Sequence, residues 1–288
     1  MTASVSPAKL CPLWYTVLVR SSLLLLCMCG AARSALAQGG PPYYTNDPGT
    51  PGPRNWEINI GYEPFLYSGN SITHTPDVDI NYGVGDRIQL TYENAWLRVK
   101  NIPQSARYGL GQSNFGVKWR FLDHGEDGLS IFIFPQGFVK NPNNAVRRGI
   151  TPQSESFLMP VEFSRKFGAI DLNLEVGYNF VHKGSDGWLV GLVAGHRFGR
   201  KLELDAEFYN VSAVNPYVSH PTIDAGLRYK IHKPIILLLM SGHGLEPASH
   251  DQPYYVGYFG LQFLLPPRSY DHEDVPESKP SSPLPPPH

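Results

Sequence analysis

The serines, histidines and carboxylates are the residues of this chain that could do chemistry, and they fall into few groups. Asn179-Phe180-Val181-His182 and Ser185 form one, and Ser219-His220 forms another. Serine hydrolysis needs a nucleophilic hydroxyl paired with a histidine that a third group orients. Neither group stands in the Gly-His-x-Ser context of membrane lipases, so no enzyme is expected. His243, His250 and Asp251 form a third group, and His124 with Asp123 and Asp127 a fourth. Neither spacing matches a zinc or EF-hand signature, so no metal and no cofactor is expected.

What remains is a set of charges embedded in alternating segments. Between Trp56 and Leu265 the chain reads as about twelve short stretches in which apolar and polar residues alternate. Trp56, Ile58, Ile60 and Tyr62 point one way; Glu57, Asn59, Gly61 and Glu63 point the other. Strand side chains have period two, so each stretch carries one apolar and one polar face. A soluble barrel turns the apolar face inward, and a membrane barrel turns it to lipid. On the membrane reading Glu57, Asn59, Glu93, Lys118, Arg120, Glu175, Glu203, Asp205, Arg228 and Lys230 line the lumen. They either select solutes by charge or pair with one another inside a narrow barrel. Glu57 and Glu203 are the expected partners of Lys118 and Arg120.

The flanks favour the membrane. Residues 1–37 read as a secretory signal peptide: Lys9 and Arg20, an apolar core from Leu23, and Ala35-Leu36-Ala37 before the expected cleavage. All three cysteines, Cys11, Cys27 and Cys29, fall in that segment, so the mature chain has no thiol chemistry. Losing Lys9, Arg20 and Arg33 takes 24 basic and 25 acidic residues to 21 and 25, which leaves no nucleic-acid footprint. Residues 38–54 form a Gly/Pro-rich leader, either periplasmic or tucked into the barrel mouth. Residues 55–265 form the barrel, and 266–288 a disordered Pro-rich tail.

Connections after the even-numbered strands read as short turns and those after the odd-numbered ones as longer loops, which puts both chain ends in the periplasm. Aromatic residues gather near strand ends as interfacial girdles do. The segments around Ile131, Val190 and Leu237 are apolar on both faces, and Pro160 interrupts a strand, so register is least defined there.

Pro41 to Glu63, PPYYTNDPGTPGPRNWEINIGYE, resembles the opening of the outer-membrane family linked to the meta-pathway of phenol degradation. Gly109-Leu110-Gly111 followed by Asn114 to Leu122 is similar to that family's central strand. The resemblance implies a Gram-negative outer-membrane barrel carrying aromatic or hydrophobic compounds. The tail departs from barrels that end on an aromatic residue, which moves the assembly signal to Tyr255–Phe263.

The expectation is therefore an all-β, antiparallel, up-and-down transmembrane barrel of about twelve strands in the cell outer membrane. It is porin-like, a passive channel for small, hydrophobic or aromatic solutes. Its partners are outer-membrane lipid, the solute and, during biogenesis, barrel-assembly machinery. The alternatives are a non-transporting structural or adhesion barrel and a soluble exported β protein holding an apolar ligand.

Overall fold

The computed structural model describes residues 40–125, 128–141 and 144–266. The expected signal peptide, its cysteines, Asp127 and nearly all of the expected tail lie outside them. Thirteen strands follow in order: β1 (Trp56–Tyr67), β2 (Asn70–Val84), β3 (Ile88–Asn101), β4 (Arg107–Asp123), β5 (Ser130–Ile133), β6 (Gln136–Val139), β7 (Ser156–Phe167), β8 (Ile170–Val181), β9 (Gly187–Phe198), β10 (Leu202–Val214), β11 (Tyr217–His232), β12 (Ile235–Gly244) and β13 (Tyr255–Leu265).

Except for β5 and β6, each strand pairs antiparallel with its neighbours in the chain, and β1 pairs with β13, so the sheet closes. β5 and β6 share the partners β4 and β7 and are two halves of one stave, which makes a twelve-stave barrel. The break falls at Phe134-Pro135, opposite Pro160 of β7. Each proline lacks the N–H that the ladder needs, and the two lie on adjacent rungs, Pro160 opposite Phe134 and Pro135 one position on, so the stave is interrupted there without ending.

The faces are those of a membrane protein. Ile60, Leu90, Phe115, Leu174, Leu204 and Ile223 are exposed on the outside. Their sequence neighbours Asn59, Thr91, Asn114, Glu175, Glu203 and Asp224 are buried inside. In water this pattern would lose the main driving force for folding, because burial of apolar area supplies it. The soluble reading is thereby overturned. Trp56, Trp119, Phe121, Phe198 and Tyr229 are exposed near the short-turn end, and Trp56 packs on Tyr82 with ring centroids 4.6 Å apart.

The loop asymmetry is weaker than the sequence suggests. Only Ser68 and Gly69 separate β1 from β2, and only Asn215 and Pro216 separate β10 from β11. Gly69 has φ +82, the left-handed conformation that so tight a link demands. Residues 70–74 escape the alternation because a bulge at Thr75-Pro76 resets it. Residues 210–214 and 217–221 escape it because Asn210, Ser212, Ser219 and Pro221 interrupt the apolar face. The long connections are 140–155 and 245–254. From the first, Ala145 and Ile150 fold onto the inward-facing Ala95, Leu97 and Val99, so this loop covers part of its own mouth.

Candidate functional site: the occupied lumen

The leader lies inside the barrel. Tyr43 is 4 % exposed and Thr45 fully buried, with Pro42 and Pro48 buried beside them. From Gly40 the segment crosses the lumen and is held from successive staves. On β11, Arg228 donates from Nη2 to the carbonyls of Gly40 at 2.8 Å and Pro41 at 2.6 Å. On β10, Glu207 accepts the backbone N–H of Tyr44 at 3.0 Å and of Thr45 at 2.6 Å. On β8, Glu175 accepts the Asn46 N–H at 2.8 Å. On β4, Lys118 donates to the Asp47 carbonyl at 2.9 Å and to its Oδ1 at 3.1 Å. Arg120 then reaches the Pro48 and Asp86 carbonyls, and Thr50 donates to Asp86 at 3.1 Å. Arg54 N–H donates to Gly83 O at 2.9 Å and delivers the chain into β1.

A carboxylate buried in low dielectric must be paired or hydrogen-bonded. Glu207 and Glu175 meet this with main-chain donors, and the leader's amides are satisfied by the same bonds. Burial, with Asp205 beside Tyr43 and Glu63 beside Tyr44, holds both hydroxyls well above the ordinary tyrosine range, so both rings stay neutral.

The leader also accounts for the two-faced strands. Ile236, Leu238 and Met240 of β12 point inward, together with Val193, Val256 and Tyr258, and Tyr43 packs on them. Their inner face is apolar because it meets a ring rather than water. On β5, Phe132 is fully buried, with Lys118 Nζ 5.6 Å from its ring centroid and 5.3 Å from that of Phe134.

Small residues make room. A Cβ on Gly191 would sit 2.1 Å from Thr45 Oγ1, and its three nearest neighbours would all be Thr45 side-chain atoms. Gly191→Ala is therefore expected to disturb the leader without disturbing the wall. The check is single-channel recording: the variant should keep the heat-modifiable gel mobility of wild type and show added open-state noise.

The sequence-selected residues fall as follows. Asn59, Lys118, Glu175, Glu203, Asp205 and Arg228 are buried on the inner wall, and Glu57, Glu93 and Arg120 are half-buried there. Lys230 is exposed at the rim. Pairing differs from expectation: Lys118 meets Asp47 of the leader, Arg120 meets Asp123 at 3.3 Å, and Glu203 meets Arg197 at 2.7 Å. Sequence reasoning did not select the leader's own contacts or the further buried acids Asp77, Glu162, Asp171 and Asp224. The acids continue the polar face of their strands, so alternation was the signal available for them. Ser219 donates to Asn210 at 2.8 Å and His220 contacts Gln252 at 3.1 Å, so neither is joined to the other as a nucleophile and base would be.

The inner wall is predominantly acidic. Between the leader and β1–β3 remains a cavity of about 270 Å³ that Glu57, Glu63, Asp77, Asp79 and Glu93 line. Amides anchor part of this surface: Asn59 and Asn81 donate to Asp79 at 2.9 and 2.8 Å, and Asn114 donates to Glu93 at 3.0 Å.

No family model matches the chain, and no curated protein matches it. Solved structures do. An outer membrane channel from Pseudomonas putida F1 is 10% identical with a TM-score of 0.56, over 73% of this chain and 94% of that one. The NanC porin is 8% identical at 0.52, over 72% and 98%, and the KdgM porin in complex with disordered oligogalacturonate is 12% identical at 0.51, over 71% and 98%. The likeness is one of architecture: this chain has the fold of the outer-membrane channel barrels.

Proposed function

We propose that this protein is a passive outer-membrane channel for small solutes, and that its leader restricts what the lumen passes. The observation that carries the reading is the pairing of a lipid-compatible exterior with a polar, charged lumen that the chain's own residues 40–50 cross. Fixed charge in a low-dielectric tube sets ion preference, and here acids outnumber bases along the wall. Cationic and neutral polar solutes fit this lumen better than anions.

The family resemblance points instead to hydrophobic or aromatic solutes. The apolar patch of Leu238, Met240, Val256 and Tyr258 is taken up by Tyr43, so it offers such a solute no surface while the leader is in place. The carboxylates facing it across the lumen also oppose that reading, since an apolar solute gains nothing from displacing their water.

Planar-bilayer recording in a KCl gradient tests the proposal. A reversal potential showing several-fold preference for K⁺ over Cl⁻ is expected. Anion preference would overturn the charge argument, and absence of any conductance would overturn the channel. Liposome uptake of a neutral aromatic compound, measured in parallel, separates the hydrophobic route from the polar one.

A further inference from the structure

We infer that Glu63, His74 and Asp77 form a binding site for a divalent transition-metal cation, Zn²⁺ being the best fit, on the inner wall between the leader and the β1–β2 hairpin. One ligand atom from each of the three side chains lies within 4.8 Å of the others. His74 Nδ1 is 2.8 Å from Glu63 Oε2.

The wall is built to bring them together. His74 and Asp77 are three positions apart, and an unbroken strand would send them to opposite faces. The β1–β2 register moves from Glu63↔His74 to Gly61↔Asp77, so Tyr62 alone faces both Thr75 and Pro76. That one-residue bulge returns Asp77 to the inner face beside His74 and Glu63. Phe65 lies against the imidazole, with ring centroids 5.3 Å apart and the rings tilted by 54°.

A second observation points to a missing ligand. Asp77 is 8 % exposed, and its Oδ1 has no hydrogen-bond partner among the described residues. Asp79 and Glu93 stand nearby, tied by Asn59, Asn81 and Asn114. They add negative charge without filling the gap. The Lys118 ammonium is committed to Asp47. Buried like charges at this density need a cation or a proton each.

The donor set decides which cation. An imidazole nitrogen with two carboxylates suits Zn²⁺ and its first-row neighbours. Ca²⁺ and Mg²⁺ prefer all-oxygen shells. Three donors on one Zn²⁺ lie roughly 3.3 Å apart at ~2 Å bond lengths. To reach that spacing Glu63 and His74, in contact at 2.8 Å, must part slightly, giving up the proton between them, while Asp77 moves in, which leaves a fourth position for water.

The test titrates EDTA-treated, detergent-solubilised protein with ZnCl₂ by calorimetry, with MgCl₂ in parallel. One saturable Zn²⁺ event is expected, weakened at least about tenfold by His74→Gln and by Asp77→Asn, since each removes one of three ligands. A His243→Gln/His250→Gln variant, which alters one exposed histidine at the end of β12 and one in the loop that follows, should bind as wild type. No saturable binding, equal binding of Mg²⁺, or loss of binding in the His243/His250 variant instead would overturn the site. Should the lumen variants fail to fold, crystals of wild type soaked in ZnCl₂ decide the matter. A zinc-edge anomalous peak between Glu63, His74 and Asp77 supports the site, and peaks elsewhere or none at all refute it.

Discussion

Leu174→Arg is expected to impair assembly strongly. Leu174 stands at the centre of β8, paired with Phe163 and Leu192, with its side chain on the outer surface. A cation at the bilayer midplane costs roughly 2–4 kcal/mol. That is a large fraction of the 5–15 kcal/mol by which a domain is typically stable. Glu175→Gln, one position along, should assemble as wild type, because Glu175 is fully buried on the lumen side and glutamine keeps its shape. The measurement is the fraction recovered in the outer membrane as heat-modifiable protein. If the glutamine variant were the more damaged of the two, the inside-out assignment of β8 would be wrong.

Glu175→Ala/Glu207→Ala is expected to raise conductance several-fold without loss of the barrel. The two carboxylates accept three main-chain N–H groups, from Tyr44, Thr45 and Asn46. Hydrogen bonds to charged groups are each worth about 1.5–3 kcal/mol. Even one such loss shifts a two-state equilibrium tenfold or more, since a tenfold change needs about 1.4 kcal/mol. Arg228 and Lys118 would still hold the leader's two ends, so frequent opening rather than permanent release is expected. Planar-bilayer recording reads the mean conductance. An unchanged value in correctly folded protein would mean that the leader does not limit flow.

The wall was largely legible in the sequence, because its period-two pattern is imposed by two solvents at once. Leu174 beside Glu175, or Leu204 beside Asp205, admits only one arrangement in a bilayer. The pattern failed where a third partner intervened. Leu238 and Met240 look misplaced until Tyr43 is seen against them. The leader itself has no periodicity, and its place depends on contacts with β4, β8, β10 and β11, far along the chain. The Thr75-Pro76 bulge hid the start of β2 for the same reason that it assembles the cation site. A one-residue reset reads as a loop in sequence and as a change of face in space. The pairings of Lys118 and Arg120 were misjudged because alternation reveals a face and says nothing of height along it.

The position of the leader also constrains the order of assembly. It is continuous with β1, and β1 must meet β13 to close the seam. Once that seam is zipped, the lumen is bounded by a closed ladder, and a segment docked on four separate staves could enter only by threading from one end. Docking before closure avoids the threading. Glu175, Glu207 and Arg228 on a still-open sheet already offer acceptors and donors in sequence, and binding the leader there draws β1 toward β11–β13. The most distant pairing in the chain then closes over a shortened effective loop. On this account residues 40–50 serve the barrel twice, first as a mandrel around which the staves curl and afterwards as its stopper.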